Sequence, residues 1–124
     1  MENLLIKKAE KTPSIEFNIN GELRIEGRSI PENSIEFYQK AIVWLTEFRF
    51  TRPSKVNLHV TLEYFNTSSG KLLLSLFKHL ELLRLDGTDT KIHWYYNESD
   101  EDMNEAGQDF SCLIKLPFTY VQLA

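Results

Sequence analysis

The chain has 124 residues, of which 42% are hydrophobic, 12% aromatic and 26% charged. This composition is ordinary for a soluble globular protein, and the length fits one domain, residues 1–124, that buries a core of its own. The formal net charge is −4, and the absence of a concentrated basic stripe argues against a nucleic-acid partner.

The sequence also favours a cytoplasmic protein with no membrane partner. The single cysteine, Cys112, cannot form an internal disulfide, which is the pattern of a reducing compartment. No segment approaches the ~18 to 20 apolar residues that cross a bilayer. The start, Met1-Glu2-Asn3, lacks the basic-then-apolar pattern of a signal peptide.

The first half of the chain predicts a β-hairpin, a helix and a long strand. Two alternating runs at residues 14–19 and 22–26 flank Asn20-Gly21, the strongest short-range hairpin signal in the sequence. Residues 4–9 are interpreted as an edge strand or a loose lead-in. A helix is predicted over residues 32–48, since Pro31 and the acids favour its first turn. Residues 55–66 alternate as a strand, with Tyr64 on the apolar face and Phe65 on the other.

The second half predicts a helix, a strand, another helix and a final strand. Residues 68–85 are apolar over most of a helical circumference and should form the central helix of the core. A strand over residues 90–96, a helix over 100–111 that Gly107 weakens, and a strand over 117–123 follow. This order predicts an α/β fold with a mixed sheet packed by about three helices.

The stretch from Tyr64 to Gly70 connects the long strand to the leucine-rich helix, and it carries three adjacent hydroxyls, Thr67, Ser68 and Ser69. The first turn of a helix has N–H groups without partners and part of the positive end of the macrodipole, which suits a phosphate. A helix cap with no further role is one interpretation. Three hydroxyls where one suffices, followed by a glycine that lets another backbone come close, favour a phosphoacceptor loop.

An acidic stretch follows the strand that ends near Tyr96, and it includes Asp100, Glu101 and Asp102. Functional loops gather at the carboxyl ends of strands. This acidic stretch and the three hydroxyls at residues 67–69 therefore lie at the same edge of the sheet if their strands are adjacent and parallel. The acids are either a solvated helix start or a recognition patch for a basic partner or a kinase.

No metal and no cofactor is expected, since the three histidines lack metal-ligand spacing and the usual phosphate-cradling glycine fingerprints are absent. A different class of function is a small ligand-binding domain or enzyme that uses the same edge of the sheet, with Ser68 or Ser69 paired to His93. No Gly-x-Ser-x-Gly elbow supports it, so this is the weaker class.

Several segments together resemble the SiaC-type regulatory phosphoproteins over nearly the whole chain. They are Ser29-Ile30-Pro31-Glu32-Asn33 leading into Phe37-Tyr38 and Trp44-Leu45, then YFNTSSGK, then Trp94-Tyr95-Tyr96 with Asp100-Glu101-Asp102-Met103 and Glu105-Ala106-Gly107. That family is similar in turn to the STAS fold of anti-anti-sigma factors, in which a hydroxyl residue at the same strand-to-helix corner is the phosphorylation switch.

The resemblance implies a non-enzymatic signalling adaptor. Thr67 would be phosphorylated by a GHKL-type protein kinase and dephosphorylated by a PP2C-type phosphatase, with Ser68 and Ser69 as alternative acceptors. The unphosphorylated form would bind a diguanylate cyclase or another output protein, as in cyclic di-GMP signalling and biofilm regulation. The residues expected to bind the partner are Asn66, Gly70, Tyr96, Asp100, Glu101 and Asp102.

Overall fold

The structure is a computed structural model that describes all 124 residues and contains a six-stranded sheet and three helices. In chain order the elements are β1 (Leu4–Ile6), β2 (Ser14–Phe17), β3 (Glu22–Ser29), α1 (Ser34–Phe50), β4 (Lys55–Phe65), α2 (Thr67–Leu85), β5 (Asp89–Asn97), α3 (Glu101–Leu113) and β6 (Phe118–Leu123). None of these helices has the length and apolar character needed to span a membrane.

The strands stand in the sheet in the same order as in the chain. β1, β2 and β3 pair antiparallel, whereas β3, β4, β5 and β6 pair parallel, with one helix between each parallel pair. Right-handed crossovers between successive neighbours place all three helices on the same face of the sheet. The predicted α/β fold, with a mixed sheet and three helices, is confirmed, while its relation to the STAS fold stays a prediction.

One face of the sheet is buried under the helices and the other is open to solvent. Along β3, β4 and β5 buried side chains alternate with exposed or half-buried ones. As expected for the central helix, α2 contributes the fully buried side chains Leu73, Leu76, Phe77 and Leu80. Since burial of a large apolar side chain is worth about 1.5–3 kcal/mol, this single helix–sheet layer is the main source of stability.

Four predicted boundaries near the N-terminus differ from the structure. β3 extends to Ser29, three residues beyond the predicted end at residue 26. β1 is only three residues long. β2 ends at Phe17 because the Ile19 N–H donates to the side chain of Asn3 at 2.8 Å, and Ile19 is 54% exposed. α1 begins at Ser34, not at residue 32, because Asn33 is the N-cap and accepts the Glu36 N–H at 3.1 Å.

The end of β4 contains a β-bulge that the alternation of the sequence does not reveal. Gly27 of β3 pairs with Leu62, whereas the next residue, Arg28, pairs with Tyr64, so Glu63 is an extra residue in β4. An extra residue reverses the alternation of side chains beyond it.

The reversal turns Tyr64 outward, with 54% of its side chain exposed, and turns Phe65 towards the core. The Phe65 ring centroid lies 6.4 Å from that of Trp94 and 5.9 Å from that of Phe110. The prediction that Tyr64 lies on the apolar face and Phe65 on the opposite one is therefore wrong.

Gly107 does not interrupt α3, because it makes room for Trp94 of β5. A Cβ at residue 107 would lie 2.5 Å from Cδ1 of Trp94. The indole N–H of Trp94 donates to the backbone oxygen of Met103 at 2.9 Å, which holds the ring against this helix. The loss of helix propensity at Gly107 is therefore the cost of a close contact between α3 and β5.

We expect Gly107→Ala to lower the free energy of unfolding by about 1–3 kcal/mol, because the added methyl group overpacks the contact with Trp94. The measurement is urea unfolding followed by circular dichroism. Gln108→Ala, at the next and exposed position of α3, should change stability by no more than about 0.5 kcal/mol. Equal stability of Gly107→Ala and the parent chain would show that α3 can move away from β5 at no cost.

Candidate functional site

Asn66 fixes the corner between β4 and α2. Its side-chain oxygen accepts the Ser69 N–H at 2.9 Å and its backbone oxygen accepts the Gly70 N–H at 3.0 Å. Its own N–H donates to the backbone oxygen of Ser29 at 3.0 Å, which ties the corner to the end of β3. The N–H groups of Thr67 and Ser68, in the first turn of α2, have no intrahelical partner.

Ser69 belongs to a buried network of hydroxyls. Its side chain is fully buried, donates to the backbone oxygen of Ser29 at 3.0 Å and accepts from the Ser29 hydroxyl at 2.8 Å. The Ser29 hydroxyl also lies 2.5 Å from the phenol oxygen of Tyr38 on α1. Burial raises the pKa of Tyr38 to about 12, although the hydrogen bonds with Ser29 and Ser69 act in the opposite direction, so the phenol stays protonated.

The other two hydroxyls of the corner are exposed but differ in their bonding. The Ser68 hydroxyl lies 2.6 Å from that of Ser34 on α1 and donates to the side chain of Asn66 at 3.1 Å. Thr67, the first residue of α2, is exposed, and its hydroxyl has no hydrogen-bond partner in the chain. Of the three candidates, only Thr67 has a hydroxyl that no other protein group engages.

Gly70 makes space for an aromatic ring of the same chain. A Cβ at this position would lie 3.2 Å from Cε2 of Phe65. The approach that the glycine permits is therefore that of the Phe65 side chain, which the bulge in β4 turns inward, and not that of a second backbone. Gly70 and the bulge thus both serve the inward position of Phe65.

A groove of about 360 Å³ lies beside the corner, between the end of β4 and the start of α3. Within it, Asp100 caps α3 by accepting the Met103 N–H at 3.0 Å. Phe65 both lines the groove and packs on Gly70, so the corner and the groove are adjacent, and we call the two together the rim. The residues that line the groove are Glu63, Tyr64, Phe65, Asp100, Asp102, Met103 and Ala106.

Two of the residues predicted to bind a partner are not part of this surface. Tyr96 is half-buried against the core, and its hydroxyl donates to the side chain of Gln122 on β6 at 3.4 Å. Glu101 is exposed in the first turn of α3 but does not line the groove. The structure brings together Asn66, Gly70, Asp100 and Asp102, which it places on the rim as expected for adjacent parallel strands.

The open face of the sheet carries a polar cluster that the sequence reasoning missed. His59 of β4 and His93 of β5 pair in register, and their rings stack with centroids 4.5 Å apart at an angle of 11°. The ring nitrogens of His59 lie 3.1 Å from Glu22 and 2.9 Å from the Tyr95 hydroxyl, and Nε2 of His93 lies 3.0 Å from the side-chain oxygen of Asn57. The sequence signal was two histidines at matching positions of successive strands, which becomes visible only once the register is assumed.

This placement separates His93 from the serines of the corner. His93 lies on the open face, whereas Ser69 is buried on the helix side, and the side-chain partner of His93 is Asn57. Ser68 is bonded to Ser34 and Asn66 instead. A serine–histidine pair of the kind that activates a nucleophile is therefore not formed. No group of three or more His, Cys, Asp or Glu side chains is arranged to hold a metal ion.

A family model described as the SiaC family of regulatory phosphoproteins matches residues 6–123, almost the whole chain. The chain belongs to the SiaC family. The family predicted from the sequence motifs is therefore confirmed.

Individual relatives of the SiaC family agree with this assignment. An uncharacterised protein of Pseudomonas aeruginosa strain UCBPP-PA14 is 30% identical over 119 residues, which cover 95% of this chain and 94% of that protein. The solved structure of SiaC from Pseudomonas aeruginosa matches with a TM-score of 0.91 and 28% identity over 99% of this chain and 100% of that one. SiaC in complex with the diguanylate cyclase SiaD, whose activator it is, matches with a TM-score of 0.90 and 29% identity over 97% and 99% of the two chains.

We expect Ser69→Ala to lower the free energy of unfolding by about 1–3 kcal/mol, because it removes the buried acceptor of the Ser29 hydroxyl and one of the two donors to the Ser29 backbone oxygen. Thr67→Ala removes a hydroxyl with no partner and should change stability by no more than about 0.5 kcal/mol. Thermal and urea unfolding of the two variants give the comparison. Equal destabilisation by the two changes would contradict the division of the corner into a buried network and a free hydroxyl.

The stacked histidines predict a dependence of stability on pH. Burial, followed by the neighbouring His59, lowers the pKa of His93 below its usual 6.5, although Glu22 acts in the opposite direction. The folded state then binds this proton more weakly than the unfolded state. The free energy of unfolding should therefore be at its full value above pH 6.5 and fall as the pH drops through the folded-state pKa of His93.

Urea unfolding between pH about 8 and about 5.5 measures this fall. His93→Gln, which keeps a side chain able to bond Asn57 but cannot titrate, should flatten the curve. His79→Gln, at a histidine on α2 away from the cluster, should leave the curve of the parent chain unchanged. A parent curve that is already flat over this range would contradict the assignment.

Proposed function

We propose that this chain is a non-enzymatic signalling adaptor that is switched by phosphorylation of Thr67. The observation that supports this most directly is the exposed and unbonded hydroxyl of Thr67 at the first residue of α2, next to two serines whose hydroxyls are already engaged. The unpaired N–H groups and the positive end of the helix dipole favour an anion there. Lys71 lies one turn further along α2, at the spacing that lets two side chains meet.

The partner that we propose is a diguanylate cyclase or another output protein, bound by the unphosphorylated chain through the rim. The complex of the related SiaC with the diguanylate cyclase SiaD supports this assignment. The motifs shared with the family further suggest a GHKL-type protein kinase that phosphorylates Thr67 and a PP2C-type phosphatase that removes the phosphate. The setting would be the cytoplasm.

Electrostatics explains how one phosphate could control docking. A phosphate adds about −1.5 to −2 charges and three acceptor oxygens. The neighbouring groove already carries the carboxylates of Glu63, Asp100 and Asp102. A partner surface pressed against Thr67 would have to desolvate the phosphate dianion beside these acids, which is costly without a matching cation.

The fold itself should tolerate the phosphate. Thr67 takes no part in the network of Ser29, Tyr38 and Ser69, so phosphorylation need not break any of its hydrogen bonds. The proposed switch therefore changes the surface of the rim and leaves the domain folded.

Thr67→Ala tests this proposal in protein isolated from its native host with phosphatases inhibited. We expect the variant to lose the added mass of a phosphate, to keep co-purifying a diguanylate cyclase, detected by cyclic di-GMP synthesis from GTP, and to keep its melting temperature. Thr67→Glu should lose the partner with little change in melting temperature, since its carboxylate reproduces part of the phosphate charge.

Ser68→Ala is the matched control, because it removes an exposed hydroxyl from the next residue and should retain both phosphate and partner. A phosphate that persists in Thr67→Ala would place the acceptor elsewhere. A large drop in melting temperature for Thr67→Glu would instead show that the fold does not tolerate a negative charge at this position, against the proposed switch.

A further inference from the structure

The outer edge of β6 is an unpaired sheet edge. β6 pairs with β5 on one side only, and no strand lies beyond it. The backbone N–H of Ile92 donates to the oxygen of Pro117 and that of Glu98 to the oxygen of Leu123, each at 3.0 Å. In a parallel pair such bonds recur at every second residue, so the odd-numbered residues of β6 direct their backbone groups towards β5.

The even-numbered residues of β6 direct their N–H and C=O groups away from the sheet. These residues are Phe118, Tyr120 and Gln122, and they offer three donors and three acceptors along the edge. β6 is mostly exposed, with 38% of the Tyr120 side chain and 39% of the Leu123 side chain accessible.

Nothing in the sequence of β6 protects this edge. Its six residues, FTYVQL, include no charged residue and no proline. The opposite edge of the sheet is shorter, because β1 has only three residues, whereas lysines flank both edge strands, Lys7 and Lys8 after β1 and Lys115 before β6. Short strands and lysines are the usual protection of a sheet edge, and a longer uncharged edge without them can accept another strand.

We propose that β6 pairs with β6 of a second copy of this chain, antiparallel and about a two-fold axis that passes through Tyr120. All outward backbone groups are then used, because Tyr120 bonds Tyr120 of the second copy and Phe118 bonds Gln122 of the second copy in both directions. The two sheets join into one of twelve strands, twice the six of a single chain.

The side chains of β6 fit this symmetric register. On the helix side of the sheet, the Tyr120 rings of the two copies meet across the axis and Phe118 lies opposite Gln122. On the open side, Thr119 lies opposite Val121, a pair of β-branched residues that packs well across strands. No like charges meet at any position, so β6 is complementary to itself.

The size of the contact determines its strength. A pair of six-residue strands buries less than the roughly 1,000 Å² of a stable interface. The association should therefore be weak, with a dissociation constant in the micromolar range or above, and it should depend on protein concentration. This interface is separate from the rim and does not rest on the phosphorylation of Thr67.

Sedimentation velocity of the full chain, from about 10 µM to about 500 µM, tests the proposal. We expect the parent chain to shift from monomer to dimer as the concentration rises. Tyr120→Phe loses the 2.8 Å hydrogen bond from Tyr120 to Ser111 but adds no charge, so it should dimerise like the parent chain. Tyr120→Lys places two like charges across the axis and should raise the dissociation constant by at least about fivefold.

An equimolar mixture of Tyr120→Lys and Tyr120→Glu should recover association, because opposite charges then face each other. Gln122→Pro removes an outward N–H and the 3.4 Å acceptor of the Tyr96 hydroxyl but no backbone bond to β5, so it should fold, as its melting temperature would show, and stay monomeric. A parent chain that remains monomeric throughout, as expected if the edge receives a strand of another protein, would overturn the proposal. So would a Gln122→Pro variant that folds and dimerises like the parent chain.

Discussion

The geometry of the corner depends on Ser29, the last residue of β3. Its backbone oxygen accepts hydrogen bonds from the Asn66 N–H and the Ser69 hydroxyl, both at 3.0 Å. Its own hydroxyl lies between the phenol of Tyr38 and the hydroxyl of Ser69. Because these groups are buried and satisfy one another, the ends of β3 and β4 and the starts of α1 and α2 are held in one arrangement. The exposed Thr67 is thus positioned by a network to which it contributes nothing.

The bulge at Glu63 has a comparable effect at the next step of the chain. A regular strand would have buried Tyr64 and exposed Phe65. The extra residue instead gives the core an aromatic ring that packs on Gly70, and it leaves Tyr64 on the surface beside the acids of the groove. Bulges are common beside functional surfaces, where they redirect a side chain without disturbing the rest of the sheet.

The sequence predicts most elements of this fold, because their signals are local. The alternation in β4, the leucine repeat in α2 and the turn at Asn20-Gly21 each lie within a few residues, and the order of elements then leads to the α/β sheet. The features that escaped prediction depend on contacts between distant segments. The bulge is a mismatch with β3, the space at Gly107 serves Trp94, and the stacked His59 and His93 require the register of β4 with β5.

In the candidate site, too, the local features could be predicted from the sequence, whereas those that depend on distant segments could not. The three hydroxyls at the helix start were visible in the sequence, but their difference was not, since it arises from Ser29 and Ser34, which lie more than 30 residues earlier. Likewise, the acids near residue 100 could be placed on the rim only through the adjacency of β4 and β5. Tyr96 was expected to bind the partner from the resemblance to the family, yet its side chain follows the inward alternation of β5.

The identical order of the strands in the chain and in the sheet has a consequence for biosynthesis. Each strand after β1 pairs with the strand made just before it, so no segment has to wait for a distant one to emerge from the ribosome. The hairpin of β2 and β3 can form first, and each helix–strand unit can then add to the growing edge. Until the last six-residue strand is synthesised, that growing edge is β5, with the backbone groups that later pair with β6 still free. The strand order therefore permits the nascent chain to fold by successive additions to a sheet whose exposed edge moves with translation.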